Sequence, residues 1–284
     1  MDKIRMVISI ATNNIRKWSV NPRIYILGIL LVLLVFSIVE PIKNFSRVMG
    51  YRITPWLFPF VSNFVITQIM LLLGIVFLFC DAPFMDRSQA YIFIRSGRTM
   101  WVIGQIFYIM LATAIYFLFI NFVIVIMLTP NIFFSNEWGK VLGTLAQTYS
   151  GRSFNIYLPI DYTIQNLYSP IQAFALSFML EWSVGIFLGL VIFIANIYLT
   201  RAIGAIVATA IILMDIVILN AFPYYINHFS PVSLARLTIL DPTGISTLPT
   251  DIYAYIFFLV SITLLTVISI FSVKKQYIQV LPHI

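Results

Sequence analysis

The chain has 284 residues, 61% apolar and only 10% charged, whereas soluble domains carry about a quarter charged residues. That composition excludes an ordinary globular protein and makes lipid the solvent of most side chains. The net charge of +7 lies in short segments between apolar runs, without a basic stripe or recognition motif, which argues against nucleic-acid binding.

Residues 1–18 place Ile4, Val7, Ile8, Ala11, Ile15 and Trp18 at helical spacing, with Lys3, Arg5, Arg16 and Lys17 among the remainder. This pattern reads as an amphipathic helix in the membrane interface, its cations and Trp18 at the headgroups; the same face would also suit a partner protein. Asn21-Pro22 then predicts a turn into the first span.

A membrane-crossing helix needs about 20 apolar residues. Six runs approach that length: 24–39, 56–80, 101–128, 171–199, 202–222 and 252–273. The first is short, and Glu40-Pro41 falls where it would meet the headgroups. The expected architecture is therefore an all-α, polytopic membrane protein: an interfacial segment over 1–23 and one transmembrane domain over 24–284. The loops between spans that hold 1–23, 81–100, 200–201 and 274–284 on one side contain eleven of the seventeen basic residues. The positive-inside rule then puts both termini in the cytoplasm. The charged start is too long for a cleavable signal, so the first run reads as an anchor. A multi-pass location in a cell membrane, of the bacterial plasma-membrane kind, is expected.

The stretch from Asp81 to Trp101 is the most polar on the inner side, with Asp86, Arg87, Arg95 and Arg98 between apolar anchors. Ser88 is placed to cap a short helix that Gly97 ends. Such a segment reads as a topology-fixing loop or, better, as a protein-contact surface.

Catalytic patterns are missing. Gly139-Lys140 lacks the rest of a phosphate loop, Ser150-Gly151 has no nucleophile elbow, and His228 and His283 fall on opposite sides of the expected membrane. The lone Cys80 excludes an intrachain disulfide. No cofactor is expected in this chain, and no catalytic or metal-binding residue.

Ionisable residues inside spans weigh more, because burying a charge in hydrocarbon costs roughly 3 kcal/mol or more. Asp215 falls about seven residues, or ~10 Å, from the outer end of its span, with no Lys or Arg in any span to neutralise it. It reads either as lining a water-accessible cavity or as a protonated acid bonded to a neighbouring helix. Glu181 is either a second cavity-lining acid or, where 171–180 projects beyond the bilayer, a solvated one. Gly185 and Gly189, and Gly204 and Ala208, are spaced four apart and allow close helix packing, against each other or as a dimer seam.

A basic amphipathic N-terminal helix, six spans and an inner loop ending Arg95-Ser-Gly-Arg98-Thr-Met-Trp101-Val-Ile-Gly104-Gln105 together resemble a permease of the ATP-binding-cassette type-2 exporter class. The resemblance covers the whole chain in architecture and about residues 81–105 in motif. It implies a pathway formed with a second identical or related permease, and two separate ATPase subunits that carry ATP and Mg. It also implies that Asp86, Arg87, Arg95 and Arg98 belong to the coupling helix that receives the ATPase stroke. The implied substrate is amphipathic: a peptide, a lipid-like molecule or a drug. The chain departs from many members in the length of its outer loop 129–170, and keeps a second outer element at 223–250. A membrane immunity or assembly factor that binds a ligand or partner without transporting it is the alternative reading.

Overall fold

The computed structural model describes residues 3–84, 87–199 and 203–275, with backbone only at 87–90, 93, 274 and 275. Among these residues the regular structure is helical, apart from one isolated bridge between Ile53 and Ile132. The chain is an all-α, multi-pass membrane protein. Five helices are long and apolar enough to cross a bilayer.

The N-terminal helix α1 covers Lys3–Arg16. It does not rest on lipid alone. Ile10, Ala11 and Asn14 are buried, while Ile4 is 74% and Ile8 47% exposed. The helix therefore has two apolar sides, one turned into the protein and one available to membrane.

α2 runs over Pro22–Met49. The Asn21 side chain accepts a hydrogen bond from the Arg23 N–H at 3.1 Å, and Pro22 occupies the first position, where a missing N–H costs nothing. The expected end at Glu40-Pro41 is corrected: the helix continues through Pro41 to Gly50, whose left-handed backbone (φ 70°) closes it. Proline removes one internal hydrogen bond, but Ile42, Phe45 and Ser46 beyond it are all buried, and their packing holds the added turns in place.

The second run is not one helix. α3 (Phe58–Asn63) and α4 (Val65–Phe79) meet at Phe64, whose backbone is extended (ψ 121°). At 15 residues α4 is about 22 Å long, less than the roughly 30 Å hydrocarbon core. The break is held by polar groups at the junction. Asn63 Oδ1 accepts from the N–H and the hydroxyl of Thr238, both at 2.9 Å, and Thr67 donates its hydroxyl to the Phe64 carbonyl at 2.9 Å.

α5 covers Arg87–Leu128 with one non-helical residue, Gly97 (φ 73°, ψ 161°). Gly97 does end the short helix expected from sequence, since that backbone conformation is open to glycine and costly for other residues. Ser88 lies inside the described helix and does not precede it. At the other end Lys43 donates its ammonium to the Met127 and Thr129 carbonyls at 2.6 and 2.8 Å, a cation on carbonyls that the helix leaves unpaired.

α8 (Pro170–Tyr198) is one unbroken helix, started by a reciprocal capping box between Ser169 and Gln172. It occupies the centre, in contact with α3, α4, α5, α9 (Ile203–Ala221) and α10 (Asp251–Lys275). Its glycines explain why. A Cβ on Gly189 would lie 2.6 Å from Ile109 and 3.1 Å from Phe79, and one on Gly185 3.2 Å from Phe117 and Thr113. These two glycines thus seat α8 on α4 and α5, neither on the α9 glycine face nor in a dimer seam. Gly204 instead meets α8 at Asn196, whose Oδ1 accepts the Gly204 N–H at 2.8 Å. The predicted connection Thr200-Arg201 lies outside the described residues; α8 and α9, which flank it, pack together.

The end of the bundle far from α1 carries folded connections. The segment 129–169 contains α6 (Gly139–Gln147) and α7 (Tyr162–Leu167). Trp56 ties it down through its indole N–H to the Ser135 carbonyl at 2.7 Å, and within the segment the Trp138 indole N–H donates to the Tyr168 carbonyl at 3.2 Å. Residues 224–239 form three short 3-10 turns laid over the ends of α3, α8 and α9.

Candidate functional site

Two places gather the residues singled out from sequence. The first lies inside the bundle, under the turns at 224–239. Asp215 on α9 and Glu181 on α8 are both 0% exposed. The choice between a solvated Glu181 and a buried one is therefore decided: α8 is continuous through it and the surrounding helices cover it. Neither acid opens to solvent in this conformation.

Asp215 does have a cation, and it comes from outside the spans. Arg236, 2% exposed, descends from the far-end loop and forms an ion pair with Asp215 Oδ2 through its terminal Nη2. Ser230 donates its hydroxyl to Asp215 Oδ1 at 2.9 Å, and Ser233 donates to the same oxygen. Each lone pair of a buried carboxylate seeks a donor, and here one short loop supplies three. Burial lowers the Arg236 guanidinium from its ordinary value, and the adjoining Asp215 pulls it back up. Pairing offsets part of the cost of burying these two groups, which either alone would bear in full.

Glu181 sits in the same cluster on different terms. Its Oε1 accepts from Gln68 Nε2 at 2.9 Å, and Gln68 donates its other hydrogen to the Val232 carbonyl at 3.1 Å. Gln68 lies one turn beyond the break at Phe64, so the broken helix, the two acid-bearing helices and the far-end loop converge on one polar knot. Gln68 has a sequence signal, the one amide in the apolar stretch 64–80. Arg236 has none, being one basic residue among several in a loop.

The second place is the α1 end. Asp86 lies outside the described residues, and Arg87 opens α5. Arg95 and Arg98 are exposed on either side of Gly97. The segments holding the membrane-interface set and the coupling set come together here, because α1 packs along α5. Gly104 permits this: a Cβ there would lie 2.7 Å from Ile10. Asn14 Nδ2 donates to Gln105 Oε1 at 2.7 Å in the buried seam, and Trp18 Nε1 to the Tyr108 hydroxyl at 2.9 Å. Arg5, Arg16 and Arg95 line one groove of about 520 Å³ with Thr12, Asn13 and Ile92. Lys3 is exposed on α1, and Lys17 and Trp18 border an adjoining cavity that reaches Arg23 and Asp81. Arg23 and Asp81 form an exposed ion pair, and Asn196 donates to the Ala82 carbonyl at 2.8 Å, so the start of the 81–101 stretch is pinned to α2 and α8.

Among the described residues no group of three or more His, Cys, Asp or Glu is placed to hold a metal ion. No family model matches the sequence, and no curated protein or solved structure matches the chain.

Proposed function

We propose that the chain is the permease subunit of an ATP-driven exporter, with six membrane crossings and both termini in the cytoplasm, working beside a second permease and two ATPase subunits. The sixth crossing in this reading is α3 and α4 taken together. The observation that carries it is the groove lined by Arg5, Arg16 and Arg95. It joins α1 to the 87–96 helix and presents three guanidinium groups on one face, which suits an acidic surface on a soluble partner. ATP and Mg would be held by that partner.

The mechanics follow from rigidity. From Arg98 to Leu128 α5 is a continuous rod of about 46 Å, packed on α2, α8 and α10. A force applied at 87–96 crosses one hinge, Gly97, and enters the centre of the bundle. The Asn14–Gln105 and Trp18–Tyr108 bonds tie α1 and the turn after it to the same rod, so α1 moves with it. The substrate class is amphipathic, as the 25 Phe and 15 Tyr offer apolar and cation-attracting faces.

The test is purification from native membranes with identification of the soluble subunit that accompanies the chain, followed by the double variant Arg95→Glu, Arg98→Glu. The expected outcome is an ATPase partner whose binding and stimulation fall at least tenfold in the variant while membrane insertion is unchanged. Undiminished ATPase binding by the variant, or no ATPase partner at all, would sink the proposal.

A further inference from the structure

Three buried polar atoms in the knot have no hydrogen-bond partner among the described residues: Gln68 Oε1, Glu181 Oε2 and Arg236 Nε. Unpaired buried polar groups are rare enough in folded proteins that each calls for a physical reason. Here two are acceptors on adjoining side chains, and one is a guanidinium donor.

The orientation of Gln68 is fixed. Its Nε2 donates to Glu181 Oε1 and to the Val232 carbonyl, and turning the amide over would set its oxygen against that carbonyl. Gln68 Oε1 is therefore an acceptor in need of a donor. An ionised Glu181 has only acceptors to offer, and its charge would be a second anion sharing one guanidinium with Asp215. A single proton on Oε2 removes both difficulties: it neutralises the extra charge and turns the orphaned oxygen into a donor.

We propose that Glu181 is a proton-binding site, its neutral acid and the Gln68 amide forming a reciprocal pair of hydrogen bonds, with release of the proton drawing Arg236 from Asp215 toward Glu181. The groups that face the site are few. Asp215 comes from α9 and Arg236 from the far-end loop. α5 contributes Tyr116, whose hydroxyl donates to the Leu71 carbonyl at 2.8 Å. The segments 58–63 and 65–79 contain no charged residue, and the α10 acid Asp251 is bonded by the Tyr168 hydroxyl at 3.0 Å. The anion left by proton release has Arg236 as its one neighbouring cation among these, with an unused Nε–H. Since Arg236 belongs to the turns at 233–239, its shift loosens them from α9. The site is a proton-operated latch on the far-end loop, and it stands whether or not the chain exports anything.

The test uses full-length protein in lipid nanodiscs. Infrared difference spectra between neutral and alkaline pH are expected to show a neutral carboxylic-acid band, shifted in D2O, that disappears on alkalinisation. The band should vanish in Glu181→Gln and, in Asp215→Asn, where Arg236 is released from its partner, be lost at a lower pH than in the parent. Glu181→Gln places an N–H donor where the acid has its O–H, so it should melt within a degree or two of the parent at neutral pH and lose the parent's alkaline destabilisation. Absence of a Glu181-dependent acid band overturns the proposal. So does a band that survives to higher pH in Asp215→Asn than in the parent, a melting point that rises with sodium in place of protons, or a Glu181→Gln protein as unstable as Glu181→Leu.

Discussion

Removing the guanidinium of Arg236 is the sharpest perturbation the structure offers. The Arg236→Met variant keeps most of the stem that packs under the loop and deletes the charge, leaving Asp215 buried at 0% exposure with two serine hydroxyls as its remaining donors. Two unit charges about 4 Å apart attract by roughly 4 kcal/mol at an effective dielectric of about 20. Breaking a buried pair by removing one partner costs about 3–5 kcal/mol in mutational experience. The two figures agree, and a loss of about 4 kcal/mol is expected. The double variant Asp215→Asn, Arg236→Met removes both charges and should recover more than half of that loss, because a buried ion pair replaced as a unit is often close to neutral. Reversible unfolding of the purified protein in mixed micelles, read by tryptophan fluorescence, measures both. A loss below about 1 kcal/mol in Arg236→Met, or a double variant no more stable than the single, would refute the assignment of Arg236 as the cation that lets Asp215 stay buried.

Two further outcomes follow. Gly189→Ala should cost about 1–3 kcal/mol in the same unfolding assay, since the added Cβ would stand 2.6 Å from Ile109 and 3.1 Å from Phe79, whereas Gly143→Ala, with nothing within 4 Å, should be neutral or slightly stabilising. Asp241 accepts from the Thr243 hydroxyl and N–H and from the Ser246 N–H, and these bonds hold its carboxyl well below the usual carboxylate range. A depressed folded-state value contributes stability that is present above the unfolded value of about 3.9 and lost as pH falls toward the folded one. Asp241→Asn should therefore lower the melting point at neutral pH and reduce its further fall in acid; an acid limb identical to that of the parent would contradict this.

Much of the helix framework was readable from hydropathy, because a run of apolar residues long enough to cross a bilayer has few other ways to bury its backbone polar groups. Asn21-Pro22 and Gly97 were readable as punctuation for the same local reason: their preferred backbone shapes do not depend on neighbours far away. The extension of α2 past Pro41 was not, since Ile42 and Phe45 stay helical by packing against residues distant in sequence. Nor was the break at Phe64, which falls within the apolar run 56–80 and exists because Asn63 finds Thr238 across the fold.

The same division runs through the candidate site. By itself the sequence determined that Asp215 lies in a span and is too costly to leave alone, and that a basic, mixed-charge segment precedes Trp101. Only the tertiary structure decided how the cost is met: Arg236, 21 positions away in a loop, turns inward to Asp215, and Gln68 from the broken helix meets Glu181. It also decided that α1 and the 87–96 helix share one basic groove, through the space left by Gly104. Hydropathy and backbone punctuation are local properties, carried by each residue and its near neighbours. The pairing of buried charges is a property of distance in space, and the chain acquires it only when the helices pack.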